Sequence, residues 1–380
     1  MNQRELQELL LPHFHWFHQH PELGNEEFET TARIRQVLSE FGVEILDTGL
    51  KTGLVARIAG KKEGPVVALR SDIDALPITE ASGLPYSSQN GGQMHACGHD
   101  FHLTALLGAA LLLRERQDTL AGTVKLLFQP AEECGPGSKS VIATGILDDV
   151  QEIYGIHVTA DTAPGIIVVN PGPVTAAVGG FRIIINGKGG HASAPHECID
   201  PVIAAAQIIN AAQTIVSRFI DPFDRAVVSI THVAAGSTWN VIPRDALLEG
   251  TIRALGTDQF RGIAERLERI CLGIAQVTDT RIDYVWQLSA PSVQNDPRLT
   301  DFVIETAKGL GLEVKSGTLG MGGEDFSLYQ EKIPGVFLTI GVGSPQATHH
   351  PGFIADPAPL HTASELLTAL GAGALERLAK

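Results

Sequence analysis

Five short stretches of this chain crowd residues able to hold a metal ion or move a proton. They are RSDIDALP (Arg70–Pro77), MHACGHDFH (Met94–His102), QPAEECGPG (Gln129–Gly137), GIHV (Gly155–Val158) and THHPGF (Thr348–Phe353). Between them they offer Cys97, His99, Glu132, Glu133, His157 and either His349 or His350. Thiolate, imidazole and carboxylate are the donors that zinc and its first-row neighbours prefer. Taken singly, each residue has an ordinary explanation: a histidine at a strand end usually hydrogen-bonds its surroundings, a single cysteine packs as a small hydrophobe, and two adjacent glutamates mark solvent. Their company changes that. Cys97 and His99 stand two apart in a glycine-containing loop, where extended backbone aims both side chains the same way. Glu132 and Glu133 follow an apolar run and a proline, in a turn that can aim one at a metal and the other at a water. Asp74, two residues from Asp72 on the same predicted strand, shares its face; there it can orient a ligand from behind or cap the turn at the strand end.

The elements that must position these stretches alternate. LVARIAG (Leu54–Gly60), VVALRSDIDAL (Val66–Leu76), TVKLLFQ (Thr123–Gln129) and EIYGIHV (Glu152–Val158) are β-type apolar runs, with helical patterns between them at Thr104–Arg114 and Gly137–Ala143. Two more helices precede them, one ending at His20 before Pro21, the other starting near Glu26. This alternation predicts an α/β layer structure with a largely parallel sheet, whose ligand crevice lies outside the strand ends. From Phe181 the order becomes strand (FRIIING), helix (Asp200–Arg218), strand (AVVSITHVAAG), strand (ALLEGTIRAL), helix (Thr257–Ala275), strand (Arg281–Gln287). That β-α-β-β-α-β string is the ferredoxin-like unit. After Pro291 the first pattern resumes with a helix at Pro297–Leu310, a strand at Gly335–Gly341 and a last helix from about Thr362. The expected layout is a discontinuous catalytic domain, 1–179 and 291–380, interrupted by a compact inserted domain at 180–290.

Charge and length narrow the classes. The chain has 380 residues and a formal charge of −15, which argues against nucleic acid and anionic membrane surfaces as partners, since both are met by basic patches. The apolar stretch Thr104–Leu113 is too short to span a bilayer. The N-terminus lacks the pattern of a secretory signal, and Cys97, Cys134, Cys198 and Cys271 show no CxxC spacing, so a cytoplasmic protein is expected.

HPELGNEEFETT (His20–Thr31), ALRSDIDALP (Ala68–Pro77), MHACGHDFH, FQPAEE (Phe128–Glu133), GKGGHASAPH (Gly187–His196), GSTWNVIP (Gly236–Pro243), GGEDFSLY (Gly322–Tyr329) and HHPGF (His349–Phe353) occur in that order. Together they resemble the signature blocks of the M20 metallopeptidase family. They are most similar to its amidohydrolase branch of hippurate hydrolases, N-acyl-amino-acid deacetylases and auxin-conjugate hydrolases. The resemblance implies an α/β metallohydrolase domain of phosphorylase/hydrolase-like fold, with the ferredoxin-like insert serving as lid and homodimerisation domain. It implies two divalent ions per subunit, zinc, manganese, cobalt or nickel, held by Cys97 as bridging thiolate with His99, Glu133, His157 and His349; the first histidine of the HxP block favours His349 over His350. At the position where the wider family has the histidine of an HxD block, this chain has Asp72. The implied reaction cleaves the amide of a small-molecule N-acyl amino acid, acetyl or aromatic, by a metal-activated water, with Glu132 as general base. His191 is then the oxyanion donor, and Asn240 and Arg253 contact the substrate carboxylate. Arg253 is also explicable as a solvated strand residue.

Three other functions compete. A cysteine hydrolase would use Cys97 with His95 or His99 and ignore chelators. A dipeptidase or aminopeptidase of the same fold would take peptides instead of acyl-amino acids. A catalytically silent metal- or amino-acid-binding protein would have no need of Glu132. A serine hydrolase is disfavoured because no GxSxG elbow occurs.

Overall fold

Runs rich in Val, Ile and Leu that are buried on both faces form the centre of a sheet, and here four such runs lie side by side. A computed structural model of the chain describes residues 1–135, 137–317 and 320–380; Pro136, within the Gln129–Gly137 stretch, lies outside them. The chain divides into two compact units: Met1–Val174 with Gln294–Leu319 and Asp325–Lys380, and Thr175–Val293 with Gly320–Glu324.

In the larger unit the strands Ala121–Gln129, Lys62–Asp72, Glu152–Thr159 and Gly335–Gly341 are successive parallel neighbours. The flanking strand Leu54–Ala59 joins antiparallel, and short strands complete a mixed eight-stranded sheet. The helices Gln3–Gln19, His99–Glu115 and Leu360–Leu378 pack together and contribute Leu10, Phe14, Leu103, Leu107, Leu366 and Leu370 to one core with Leu69, Leu126 and Leu338 from the sheet. Each such fully buried side chain stabilises the fold by about 1.5–3 kcal/mol.

Because the central strands run parallel, their carboxyl ends share one edge. Asp72 pairs with Gln129, and His157 with Thr339, near that edge. Two local expectations change here. The strand ends at Asp72, so Asp74 lies in the segment beyond it and strand alternation does not fix its direction. Cys97 and His99 do not lie on extended backbone either: Gly98 turns the chain with φ 82°, and His99 is the first residue of a helix running to Glu115. An ideal Cβ at residue 98 would stand 2.5 Å from Val158 Cγ2, so the turn requires glycine for room as well as for φ.

The second unit has the strands Ala177–Asn186, Ala226–Ala235, Asp245–Ala254 and Arg281–Ala290 with helices Pro201–Thr214 and Thr257–Thr278. Numbered in chain order within the unit, its antiparallel sheet runs 2-3-1-4, the order of a ferredoxin-like fold. Asp200 caps the first helix by accepting the Val202 N–H. By length and composition alone, Pro201–Phe219 could cross a membrane; here Ala204, Ala205, Ile208, Ala212 and Ile215 pack into the unit's own core.

Candidate metal centre

The carboxyl edge of the parallel strands brings together the stretches singled out above. Cys97, His99 and His157 form one group of three donors, Cys97, Glu133 and His349 a second, and His99, Glu132 and Glu133 a third, the donor atoms in each lying within 4.8 Å of one another. Cys97 Sγ is 3.4 Å from His157 Nε2; a thiolate and an imidazole on one tetrahedral ion are separated by about 3.5 Å. His349 Nε2 lies 3.1 Å from Glu133 Oε1. Of the two adjacent histidines, His349 is the one that faces the cluster. Its N–H donates to Ala96 O at 2.8 Å and its φ is 66°, whereas His350 turns away and its Nδ1 accepts the Gly352 N–H.

His157, His99 and Glu133 are each held from behind. His157 Nδ1 donates to Val158 O at 2.7 Å, which fixes its tautomer and turns the Nε2 lone pair toward Cys97. Burial, and then His102 beside it, push the His157 pKa down to about 3, so the ring is neutral, the form that binds metal. Asp74 Oδ1 lies 3.3 Å from His99 Nδ1, and Asp74 Oδ2 accepts the Glu133 N–H at 2.9 Å. Asp74 thus touches two donors at once.

A fourth group, Asp72, His99 and His102, also meets the distance test, yet His102 is engaged on both sides. Its Nε2 accepts the Val158 N–H at 2.8 Å, and its Nδ1 donates to Asp72 Oδ1 at 2.6 Å. Asp72 in turn accepts from Arg70 Nη1 at 2.7 Å. Arg70 is fully buried and also donates to Gln129 and Asp325, while Asp325 takes the Ser138 N–H.

The electrostatics ask for a cation. Burial alone would lower the His99 pKa, but Asp72, Asp74 and Cys97 outweigh it and hold it well above the ordinary imidazole value. Glu133 falls below its usual range, against burial, through His349 and His99. Both His99 ring nitrogens and Glu133 Oε1 are buried without a well-directed hydrogen bond, and such atoms are costly unless something satisfies them. A divalent cation would satisfy these atoms in bonding and charge, and the donor set is that of a divalent-metal site.

In the second unit, His191 and Gly190 pair with Val241 and Ile242. His191 Nδ1 accepts the Ser193 N–H at 3.1 Å, so in the neutral ring the proton sits on Nε2. Asn240 accepts the Ala192 N–H through its carbonyl and the Thr238 hydroxyl through its side chain. Arg253 is half-buried and donates to Met321 O at 2.8 Å.

Residues 68–371 match the sequence profile of peptidase family M20/M25/M40. The chain belongs to that family. This M20 protein is 46% identical to an N-acetylcysteine deacetylase of Bacillus subtilis over 95% of each chain. It is 37% identical to thermostable carboxypeptidase 1 of Saccharolobus solfataricus, covering 89% of this chain and 87% of that one. Its fold superposes with a TM-score of 0.90 on the crystal structure of the Bacillus subtilis YXEP protein, a dinuclear metal-binding peptidase of the family, at 42% identity with 98% and 99% of the two chains covered. It is therefore a hydrolase with the two-domain α/β fold of M20 enzymes. Sequence reasoning missed what surrounds the donors in this M20 site: Arg70, His102, Gln129 and Asp325. One signal was available, since Arg70 and Asp72 directly follow the apolar run Val66–Leu69 in the same strand, and buried charges persist only when paired.

Proposed function

We propose that this M20 enzyme hydrolyses the amide bond of N-acyl amino acids, giving a carboxylic acid and a free amino acid. The observation that carries the reading is the pair of donor groups that share the Cys97 thiol, with Glu132 adjacent to Glu133 in the same turn. The name of the 46% identical relative, an N-acetylcysteine deacetylase, supports the acyl-amino-acid class.

Two divalent ions would be held by Cys97, His99, Glu133, His157 and His349. The thiol favours zinc, while imidazole and carboxylate also suit manganese, cobalt and nickel. When bound, such ions acidify water and polarise a carbonyl. Glu132 then takes the proton from the attacking water and returns it to the departing nitrogen as the C–N bond breaks. Asp74 acts through His99 and the Glu133 amide, keeping both donors aimed. On the inserted unit, His191 offers its Nε2–H to the developing oxyanion, a role its tautomer supports. Asn240 and Arg253 hold the substrate carboxylate.

The same reading makes the enzyme a homodimer through the inserted unit, whose Phe223 and Trp239 are 96% and 92% exposed. It makes it cytoplasmic, a reading that the four unpaired cysteines support. The carboxypeptidase relative favours a second possibility, peptide substrates. A panel of N-acetyl and N-benzoyl amino acids beside dipeptides, assayed with each metal, separates the two. Cleavage of acyl-amino acids is expected; if all were inert while a dipeptide was cut, the peptidase reading would replace this one.

A further inference from the structure

The block HPELGNEEF (His20–Phe28) contributes to the family resemblance, yet none of its side chains has a role in the chemistry assigned above. Its contacts run to the turn that carries Glu132 and Glu133. Glu27 stands at the N-cap of the helix Phe28–Glu40 but makes no side-chain cap there. The Glu29 and Thr30 N–H groups of that first turn donate to Glu22 instead. Glu27 is fully buried, and its Oε1 accepts the Ala131 N–H at 2.8 Å. Ala131 has φ 54°, a left-handed conformation that a non-glycine residue holds only when its surroundings impose it.

The rest of the block braces the same place. The Ala75 N–H donates to Glu22 O at 2.8 Å, and Leu23 bridges to Ala75. An ideal Cβ on Gly24 would stand 2.3 Å from Cys134 Sγ, 3.1 Å from Ala131 Cα and 3.2 Å from Asp74 Oδ2, so Gly24 lies against the turn with no room for a side chain. Two carboxylates therefore flank Glu132: Glu27 holds the amide of the residue before it, and Asp74 holds the amide of the residue after it.

We propose that Glu27 is a positioning residue for amide hydrolysis, acting through the Ala131 N–H to set the direction in which the turn presents Glu132. The proposal rests on the reading of Glu132 as general base. The test compares Glu27→Gln, which keeps an acceptor for Ala131, with Glu27→Leu, which removes it, in the full-length metal-loaded enzyme. Glu27→Leu is expected to lower kcat about 10- to 100-fold with KM within about twofold, as a small misplacement of a catalytic group does, while Glu27→Gln stays near wild type. Hydrogen exchange of peptides covering residues 128–135 gives a readout independent of chemistry. It should quicken about tenfold or more in Glu27→Leu and not in Glu27→Gln. A folded Glu27→Leu with wild-type kcat or unchanged exchange overturns the proposal, as does a Glu27→Gln equally impaired. If Glu27→Leu does not fold, Gly24→Ala displaces the turn from the other side; a selective kcat loss supports the proposal and a wild-type kcat overturns it. A wild-type rate in Glu132→Gln would instead refute the base assignment, whatever the Glu27 variants do.

Discussion

The two units carry their candidate chemistry in different ways. In the larger unit Cys97 and His99 are buried, Glu133 and His157 are partly so and His349 is exposed, and what holds them comes from far along the chain: Asp74 holds His99 and the Glu133 amide, and Arg70, which pairs with Asp72, also reaches Asp325, 255 residues away. In the inserted unit, His191 is exposed on a two-residue strand and its ring is tied to Ser193, two residues away. The difference follows from dielectric. A buried charge must be paired and hydrogen-bonded, and the partners that satisfy it also fix its position; an exposed group is satisfied by water and can rest on local contacts.

Substitutions should therefore separate the units. Glu132→Gln is expected to lower kcat about 10³-fold while the enzyme still binds metal, measured by steady-state kinetics and elemental analysis. A wild-type rate in a metal-loaded variant would remove Glu132 from the chemistry. In the inserted unit, His191→Ala should lower kcat about 10²-fold, and Arg253→Ala should act mainly by raising KM, about tenfold or more. Both should leave metal content and its affinity unchanged. Loss of metal in either would overturn the assignment of metal binding to residues of the larger unit alone.

The smallest effect concerns stability. His18 is buried between Asp100 and Glu80, at 2.6 Å and 3.2 Å. Burial lowers its pKa, but hydrogen bonds and charge from Asp100 and Glu80 outweigh it and raise it to about 9. A raised folded-state pKa contributes stability that is complete below the unfolded value near 6.5 and is lost as pH climbs through about 9. Denaturant melts should show His18→Gln less stable than wild type by about 3 kcal/mol near pH 6, with the gap narrowing toward pH 9. A gap that does not change with pH would mean that His18 is neutral in the fold.

How far this was legible in sequence depends on how local the cause is. The α/β alternation and the β-α-β-β-α-β order were readable because apolar runs such as TVKLLFQ and FRIIING report burial directly. Strand ends were not: Asp72 closes its strand by meeting Gln129 on a neighbour, and no local feature of RSDIDAL marks that point. The helix starting at His99 was expected only from Thr104, because its first turn is polar and faces the site. The candidate donors were named through resemblance; their residue types and spacing alone left His349 and His350 equal, and it is the backbone at φ 66° that turns His349 toward Glu133. His102 was passed over because its role comes from a backbone N–H 56 residues away.

The central claim is that hydrolysis depends on divalent ions held around Cys97. The most direct test is the hydrolysis rate of an N-acetyl amino acid as a function of bound metal, after chelation and stepwise return of zinc, manganese, cobalt or nickel. The account predicts that activity disappears with the metal and returns as about two ions per chain are restored. Full activity in enzyme shown to be metal-free, abolished instead by alkylating Cys97, would contradict it and make Cys97 a nucleophile.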